Sequence, residues 1–335
     1  MEKPAIEGGT PVRETPIYYG HQYIDDADIK AVVDVMKSDY LTCGPKIGEL
    51  EKKLCALTGA KYAVACANGT AALHMAALAA GVKEGDEVIT TPITFAASAN
   101  CALYCGARPV FADIDSGTYN IDPEKVEEAI TPATKAVVAV DYTGQSVALD
   151  PLREICKEHG LVLIEDGAHV IGTKYKGQPS GSLSDMTTFS FHPVKTVTGG
   201  EGGAVLTNDE TFYKKLLLYR AHGITRDESL MEHEPDGPWY YEQIALGYNY
   251  RMTDMQAALI ISQLDKLPMF SRRRKEIVKR YDEAFSEMPE LFVQREIPES
   301  DTTRHLYILR IVPERLRIDR KQFFEALAAE NVCCN

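Results

Sequence analysis

A lysine near the middle of the chain has the surroundings that carbonyl chemistry needs. Lys195 ends the segment Phe-Ser-Phe-His-Pro-Val-Lys (189–195), just past a predicted strand and ahead of a glycine-rich stretch. A lysine held among small and apolar neighbours is favoured in its neutral form, which can form a Schiff base. A surface lysine beside a glycine-rich turn would give the same pattern. This segment alone therefore leaves both interpretations open.

Two carboxylates, Glu165 and Asp166, follow the apolar run 161–164. Ligands of open α/β sheets bind at the carboxyl ends of the strands. Asp166 could keep a ring nitrogen protonated, which pyridoxal phosphate needs because its pyridinium ring is the electron sink. An acidic residue at a strand end is otherwise often a helix cap. The occurrence of Asp166 upstream of Lys195 favours a cofactor site over a helix cap.

The start of a predicted helix could bind a phosphate group. Asn68-Gly69-Thr70 combines a flexible glycine, a hydroxyl and free backbone N–H groups at the positive end of the helix dipole. An ordinary helix cap would also explain this segment. Ser190 could add a second hydroxyl to the same phosphate. Three parts of a pyridoxal phosphate site thus occur in the order phosphate loop, ring acid and lysine.

The elements that must position these residues alternate between short apolar runs and helices. From Ala63 to about Thr207 the pattern predicts an α/β domain with a mainly parallel sheet. Two amphipathic helices are predicted before it, at 29–36 and 47–57. Its last two strands, 186–191 and 203–207, leave no room for a helix between them, so we expect a hairpin.

The C-terminal segment predicts a second, smaller α+β domain. Thr253 begins a capping box ahead of one helix, Pro268 separates it from the next, and Asp319 caps a later one. A strand is predicted over 305–312. We expect a large α/β domain over 1–250 and the start of a small domain over 251–335. The small domain is expected to be incomplete, because the chain ends before a partner strand.

Composition excludes several classes of function. The 335 residues carry a net charge of −13, which disfavours binding to nucleic acid. No apolar run approaches the ~20 residues of a membrane span, and the N-terminus has no signal-peptide core. The eight cysteines lack the spacing of a metal site and are expected to be buried thiols. We expect a cytoplasmic protein that binds neither metal, membrane nor nucleic acid.

Seven segments spread along the chain share the motifs of one enzyme family. They are Leu41-Thr42-x-Gly44-Pro45, Asn68-Gly69-Thr70-Ala71-Ala72-Leu73-His74, Pro92-Ile93-Thr94-Phe95, Phe111-Ala112-Asp113-Ile114-Asp115, Glu165-Asp166-x-Ala168-His169, Ser190-Phe191-His192-Pro193-Val194-Lys195 and Gly247-Tyr248-Asn249-Tyr250-Arg251-Met252-Thr253-Asp254. Through them the chain resembles the DegT/DnrJ/EryC1/StrS sugar aminotransferases over almost its whole length. The resemblance implies the fold type I (aspartate aminotransferase-like) architecture and pyridoxal 5'-phosphate as cofactor.

The resemblance also implies roles around the cofactor ring. Lys195 would carry the cofactor as a Schiff base and act as general acid and base, with Asp166 on the ring nitrogen. Phe95 would stack on the ring. His169 would contact the ring hydroxyl, at a position where many members have glutamine.

Four further residues are implied at the cofactor phosphate. Thr70, Ala71 and Ser190 would bind it within the subunit. Asn249 would reach the phosphate of the neighbouring subunit, because active sites of this family are formed at a two-fold dimer interface. A homodimer with shared sites is therefore expected.

The implied reaction is amino transfer from glutamate to a ketone of a nucleotide sugar. Segments 17–22 and 189–195 are most similar to the branch that aminates C4 of UDP-linked 4-keto-6-deoxy-N-acetylhexosamines, as in pseudaminic acid synthesis. Amination at C3 of a dTDP-linked keto sugar is the alternative. Sugar 3-dehydration is disfavoured, since that branch has histidine at the position of Lys195. A pyridoxal phosphate-binding regulator normally carries a DNA-binding module, for which this chain has neither length nor basic charge.

Overall fold

The computed structural model describes residues 3–335, as fourteen strands and ten α-helices within that range. The strands are β1 Tyr62–Cys66, β2 Glu87–Thr90, β3 Arg108–Phe111, β4 Thr134–Val140, β5 Val162–Asp166, β6 Lys174–Tyr175, β7 Gln178–Pro179, β8 Met186–Ser190, β9 Gly203–Thr207, β10 Ile224–Thr225, β11 Glu242–Gln243, β12 Leu291–Val293, β13 Ser300–Asp301 and β14 Leu309–Ile311. The helices are α1 Asp26–Met36, α2 Pro45–Thr58, α3 Gly69–Ala79, α4 Ala97–Tyr104, α5 Pro123–Glu128, α6 Leu149–His159, α7 Glu210–Arg220, α8 Asp254–Asp265, α9 Leu267–Phe285 and α10 Arg320–Ala329.

A seven-stranded sheet forms the centre of the molecule, in the order β1-β9-β8-β5-β4-β2-β3. The neighbours from β8 to β3 pair in parallel, while β9 is antiparallel to both β8 and β1. The α/β architecture with a mainly parallel sheet is confirmed, as is the β8–β9 hairpin. The sequence did not predict that β9 would be inserted between β1 and β8.

Helices cover both faces of this sheet. Alternate residues of β1 point to opposite sides: Val64 packs in a core with α3, α4 and α7, whereas Ala63 packs in a core with α2 and α8. A third core lies under α5 and α6 and contains Val137 of β4. The adjacent Val138 faces the core of Val64, so the third core lies on the same side of the sheet as Ala63. Strands buried on both faces in this way consist of continuous apolar runs, as the sequence suggested.

The first predicted helix forms, but its buried residues are Asp28 and Val35, so only part of its buried face is apolar. Ile29 and Met36 of α1 remain exposed, while Asp28 is fully buried. The Asp28 carboxylate accepts hydrogen bonds from Ser262, Gln263 and Lys266, at 2.6 to 2.7 Å. Helix α1 therefore packs on α8 through a buried polar cluster, which apolar periodicity cannot predict.

The strand expected over 305–312 is wrong in its first half. Only Leu309–Ile311 forms a strand, paired with β12. Upstream, the Thr302 hydroxyl donates to the Gly144 carbonyl at 2.7 Å and the Leu306 N–H to the Thr143 carbonyl at 3.1 Å. Arg304 has a left-handed φ of 56°. The segment is thus bound to the 143–144 loop instead of extending as a strand.

The C-terminal segment is tied to the rest of the chain at several points. Strand β13 pairs with β6, and Ile17 exchanges backbone hydrogen bonds of 2.9 Å with Asn331 and Cys333. Helix α8 packs in the same core as α2, and Pro268 lies in the first turn of α9. The domain division at 250/251 stays a prediction.

The cysteines differ in their exposure to solvent. Cys66, Cys101 and Cys156 are buried free thiols, but Cys43 is exposed, so the expectation of burial was wrong there. Across residues 3–335, no helix combines the length and apolar character needed to span a membrane.

Candidate active site

A cavity of about 470 Å³ opens at the carboxyl ends of β4, β5 and β8. This edge is where open α/β sheets bind ligands. The cavity brings together most of the residues singled out from the sequence. The cavity lining includes six of the site residues predicted from the sequence, namely Thr70, Phe95, Asp166, His169, Ser190 and Lys195.

Lys195 lies in the loop that joins β8 to β9. The loop is closed by backbone hydrogen bonds from Phe191 to Gly202 at 2.8 Å and from Lys195 to His192 at 2.9 Å. Burial lowers the pKa of the Lys195 ammonium, and the charge of Asp166 opposes this shift. The neutral amine therefore forms at lower pH here than on a surface lysine, and Schiff-base chemistry requires the neutral amine.

Asp166 ends β5 and is 6% exposed. Its Oδ2 accepts a hydrogen bond from the Ser98 hydroxyl at 2.5 Å. Its Oδ1 accepts one from the backbone N–H of Ala168 at 3.2 Å. Both oxygens are thus held by the protein, in a carboxylate that borders the cavity. Such a group can accept a further hydrogen bond from a protonated ring nitrogen.

The phosphate-binding segment predicted at Asn68 forms the start of α3. The Asn68 side chain caps the helix by accepting from the Ala71 N–H at 2.8 Å. A Cβ on Gly69 would lie 2.8 Å from the Cβ of Ser190, so only glycine lets the helix approach β8 this closely. Thr70 and Ser190 border the cavity at this approach, on the side where the helix dipole is positive.

His169 follows Asp166 by three residues and borders the same cavity. Burial, aided by the charge of Lys195, lowers the pKa of its imidazole to about 3. The ring is therefore neutral at physiological pH. Its Nδ1 is buried and has no hydrogen-bond partner among residues 3–335. The His305 ring lies nearby, tilted by 32° to the His169 ring, with centroids 4.4 Å apart.

Three predicted residues lie apart from this buried group, either exposed to solvent or outside the cavity lining. Phe95 borders the cavity with 76% of its surface exposed, so one ring face is free to stack. Ala71 does not border the cavity, since its side chain is buried in the core and its N–H is bonded to Asn68. Asn249 also lies outside the cavity lining, on an exposed segment that pairs with Ala221.

Comparison with known proteins identifies the family. The profile of the DegT/DnrJ/EryC1/StrS aminotransferase family matches residues 22–335. The chain belongs to this family. It is 40% identical over 315 residues to a UDP-4-amino-4,6-dideoxy-N-acetyl-beta-L-altrosamine transaminase of Campylobacter jejuni subsp. jejuni serotype O:23/36, covering 93% of this chain and 80% of that one.

Solved aminotransferase structures agree with this assignment. Helicobacter pylori PseC, an aminotransferase involved in the biosynthesis of pseudoaminic acid, superposes with a TM-score of 0.87 at 32% identity. The match covers 95% of this chain and 83% of PseC. The PLP form of the putative sugar aminotransferase Spr1654 from Streptococcus pneumoniae gives a TM-score of 0.85 at 33% identity, covering 95% and 83%. The fold is that of the pyridoxal phosphate-dependent aminotransferases.

Pyridoxal phosphate is the cofactor of this sugar aminotransferase. The cavity fits it on three observations. Gly69 lets the start of α3 approach Ser190 closely, and the hydroxyl-bearing residues Thr70 and Ser190 border the cavity there. The buried Nδ1 of His169 lacks a partner within the described range, and a lysine and a carboxylate border the same cavity.

Residues that the sequence did not reveal also contact the site. Ser98 bonds directly to Asp166, and Thr94 bonds to Ser98 at 2.7 Å. The i, i+4 spacing of these two hydroxyls at a helix start was the signal that could have found them. His305 had no comparable signal, because it reaches His169 only through the irregular path of segment 302–306.

Proposed function

We propose that this sugar aminotransferase moves an amino group from glutamate to C4 of a UDP-linked 4-keto-6-deoxy-N-acetylhexosamine, as in pseudaminic acid synthesis. The observation that carries the aminotransferase chemistry is the meeting of Lys195, with its lowered pKa, and Asp166 in one cavity. The substrate assignment is supported by the names of the Campylobacter and Helicobacter relatives. It is also supported by the similarity of segments 17–22 and 189–195 to that branch.

Bound pyridoxal phosphate supplies an electron sink and carries the amino group between the two substrates. In the proposal, the Nζ of Lys195 accepts the proton from the α-carbon of glutamate and returns it at the other end of the transfer. The second half-reaction runs the same proton movement in reverse with the keto sugar. Ping-pong kinetics follow from this order.

Five other side chains would bind and orient the cofactor. Asp166 would hold the proton of the ring nitrogen, and Phe95 would cover the ring face. The hydroxyls of Thr70 and Ser190 would donate hydrogen bonds to the phosphate at the start of α3. The neutral His169 has a buried, unpartnered nitrogen within the described range, which would meet the ring hydroxyl.

The active protein is proposed to be a homodimer with shared sites, located in the cytoplasm. Asn249 is proposed to serve the phosphate of the neighbouring subunit, and Ala71 to contribute its backbone N–H, which donates to Asn68 in this structure. The exposed position of Asn249, outside the cavity of its own chain, supports this arrangement.

A substrate panel tests the proposal. Purified protein loaded with pyridoxal phosphate is mixed with glutamate and, separately, with UDP-linked 4-keto-6-deoxy-N-acetylhexosamines and dTDP-linked 3-keto and 4-keto sugars. We expect 2-oxoglutarate and a 4-amino UDP-sugar, identified by mass spectrometry and by NMR of the product. A C3 amine formed from a dTDP-sugar would replace the substrate assignment. Bound cofactor without turnover on any sugar would favour a regulator.

A further inference from the structure

Two hydroxyls form a chain of hydrogen bonds that ends on Asp166. Thr94 Oγ1 lies 2.7 Å from Ser98 Oγ, which lies 2.5 Å from Asp166 Oδ2. Ser98 is fully buried and Asp166 nearly so. A hydrogen bond from a buried hydroxyl to an ionised carboxylate is charge-assisted, and stronger than one between neutral groups.

The number of hydrogens fixes the direction of this chain. An ionised carboxylate only accepts, so the single hydrogen of Ser98 must point at Asp166. The Ser98 oxygen is then left to accept, and Thr94 must donate its hydrogen to it. Thr94 therefore orients Ser98, and Ser98 stabilises the negative charge on Asp166.

The hydroxyl pair lies on the turn that also presents a ring-stacking residue. Phe95 falls between Thr94 and Ser98, and its carbonyl accepts the backbone N–H of Ser98 at 3.1 Å. Phe95 borders the cavity on the same turn. One turn thus supplies an aromatic face for the cofactor ring and the support for the carboxylate proposed to meet the edge of that ring.

We propose that Ser98, oriented by Thr94, is a positioning residue that fixes the Asp166 carboxylate for the ring nitrogen of pyridoxal phosphate. The inference rests on the proposed role of Asp166. With Ser98 on Oδ2 and the Ala168 N–H on Oδ1, each carboxylate oxygen has a donor from the chain, which restricts rotation of the carboxylate plane. Without the Ser98 hydroxyl, the carboxylate turns more freely, its charge is less stabilised, and the ring nitrogen loses its proton more readily.

The test follows the proton on the ring nitrogen directly. Wild type, Ser98→Ala, Ser98→Thr and Thr94→Val are loaded with ¹⁵N-labelled pyridoxal phosphate, and the ¹⁵N chemical shift is followed against pH. In Ser98→Ala we expect the ring nitrogen to lose its proton at least about one pH unit lower than in wild type. Ser98→Thr restores the wild-type titration, and Thr94→Val gives a smaller shift in the same direction.

The half-reaction with glutamate gives a second measurement. Its maximal rate is expected to fall about tenfold or more in Ser98→Ala, with little change in the glutamate concentration at half saturation. The half-reaction is followed in a single turnover, where a loss of folded protein lowers the amplitude of the absorbance change but leaves the rate constant unchanged. If Ser98→Ala does not retain cofactor, the Thr94→Val titration decides, and a wild-type titration in that variant overturns the proposal.

Thr90→Val is the matched control. Thr90 is also a fully buried hydroxyl, but it donates to the Val138 carbonyl at 2.9 Å and does not contact Asp166. We expect it to lower the melting temperature without moving the ¹⁵N titration. A wild-type titration in Ser98→Ala, with an altered one in Asp166→Asn, would overturn the role of Ser98 alone. Wild-type titrations in both would overturn the role of Asp166 as well. Neither result depends on the sugar substrate.

Discussion

The part of the cavity at Asp166 and Ser98, called here the ring end, differs from the segment around Asn249 in the burial of its side chains. At the ring end, Asp166 and Ser98 are buried and bonded to each other. Around Asn249, the chain exposes large apolar side chains to solvent. Their exposed fractions are 68% for Trp239, 52% for Tyr241 and 74% for Leu246.

This difference separates what one subunit does alone from what a dimer would add. Asp166 and Ser98 obtain their hydrogen-bond partners within the chain, so these two side chains need no second copy. A concentration of exposed apolar side chains is typical of an interaction surface. A second subunit covering the Asn249 segment would bury them, in accord with the proposed shared site.

The largest effect is expected from Lys195→Ala, at the ring end. Loss of the amine would remove both the proposed covalent attachment of the cofactor and the proposed general base, which alone would contribute about 10²–10⁴-fold. The visible absorption that borohydride abolishes in wild type should be absent, and amino transfer should stop. Lys176→Ala is the control, because that exposed lysine pairs with Asp150 away from the cavity. An unchanged visible band in Lys195→Ala would contradict the assignment.

The next effect is expected from Asp166→Asn. The amide keeps the size of the side chain but cannot stabilise a positive ring nitrogen, so the rate should fall by about 10²–10³-fold. Cofactor retention should change little, because the proposed phosphate contacts lie at α3 and Ser190. Rates come from single-turnover absorbance with glutamate, and retention from equilibrium dialysis. Activity near wild type would show that another group is the ring partner.

A substitution at Asn249 tests whether this residue serves the site of a second subunit. Asn249→Asp adds a negative charge that would repel the phosphate, so this variant alone should be inactive. Mixed with inactive Lys195→Ala subunits, it should regain activity, because a mixed dimer has one site lacking both residues and one site intact. Activity after subunit exchange, verified by native mass spectrometry, is the measurement. A mixture that exchanges subunits and stays inactive would place Asn249 within its own site or outside any.

The smallest effect concerns two fully buried carboxylates next to Asp166. Burial and then the charge of Glu165 raise the pKa of Asp141 well above its usual value. Asp141 Oδ2 and Glu165 Oε1 each lack a hydrogen-bond partner among the described residues. The folded chain therefore keeps a proton there to higher pH than the unfolded chain. Stability is then lost as the pH rises from about 4, the ordinary carboxyl range, through the raised pKa.

Asp141→Asn should flatten this decline, since an amide has no proton to lose in that range. Urea unfolding midpoints at pH 5 and pH 8 measure the slope for wild type and variant. Asp150→Asn serves as control, because its carboxylate is partly exposed and paired with Lys176. An equal slope in wild type and Asp141→Asn would show that the pair does not hold the extra proton.

Local patterns were enough to predict most elements and the two central residues of the site. Thr253 caps α8 with the predicted capping box, and Asp166 and Lys195 border one cavity, as their positions after strands suggested. These features depend on neighbours close in sequence, where caps, glycine and apolar periodicity act.

Features that depend on contacts between distant segments were not predictable in this way. His305 was assigned to a strand, but residues 302–306 instead bond to the loop at Thr143 and Gly144. The exposed apolar residues of α1 have the same origin, since buried Asp28 binds α8 instead. In both cases hydrogen bonds formed across the fold outweigh local propensity.

The insertion of β9 has a consequence for the order of folding. β9 pairs Cys66 with Gly203 on one side and Ser190 with Gly203 on the other. The Gly203 backbone lies so close to Asn68 that an added Cβ would be 2.3 Å from the Asn68 carbonyl oxygen. The α3 start and the Lys195 loop therefore come together only once this long-range pairing forms, a slow kind of contact. A refolding or nascent chain should acquire its affinity for the cofactor late, when β9 enters the sheet.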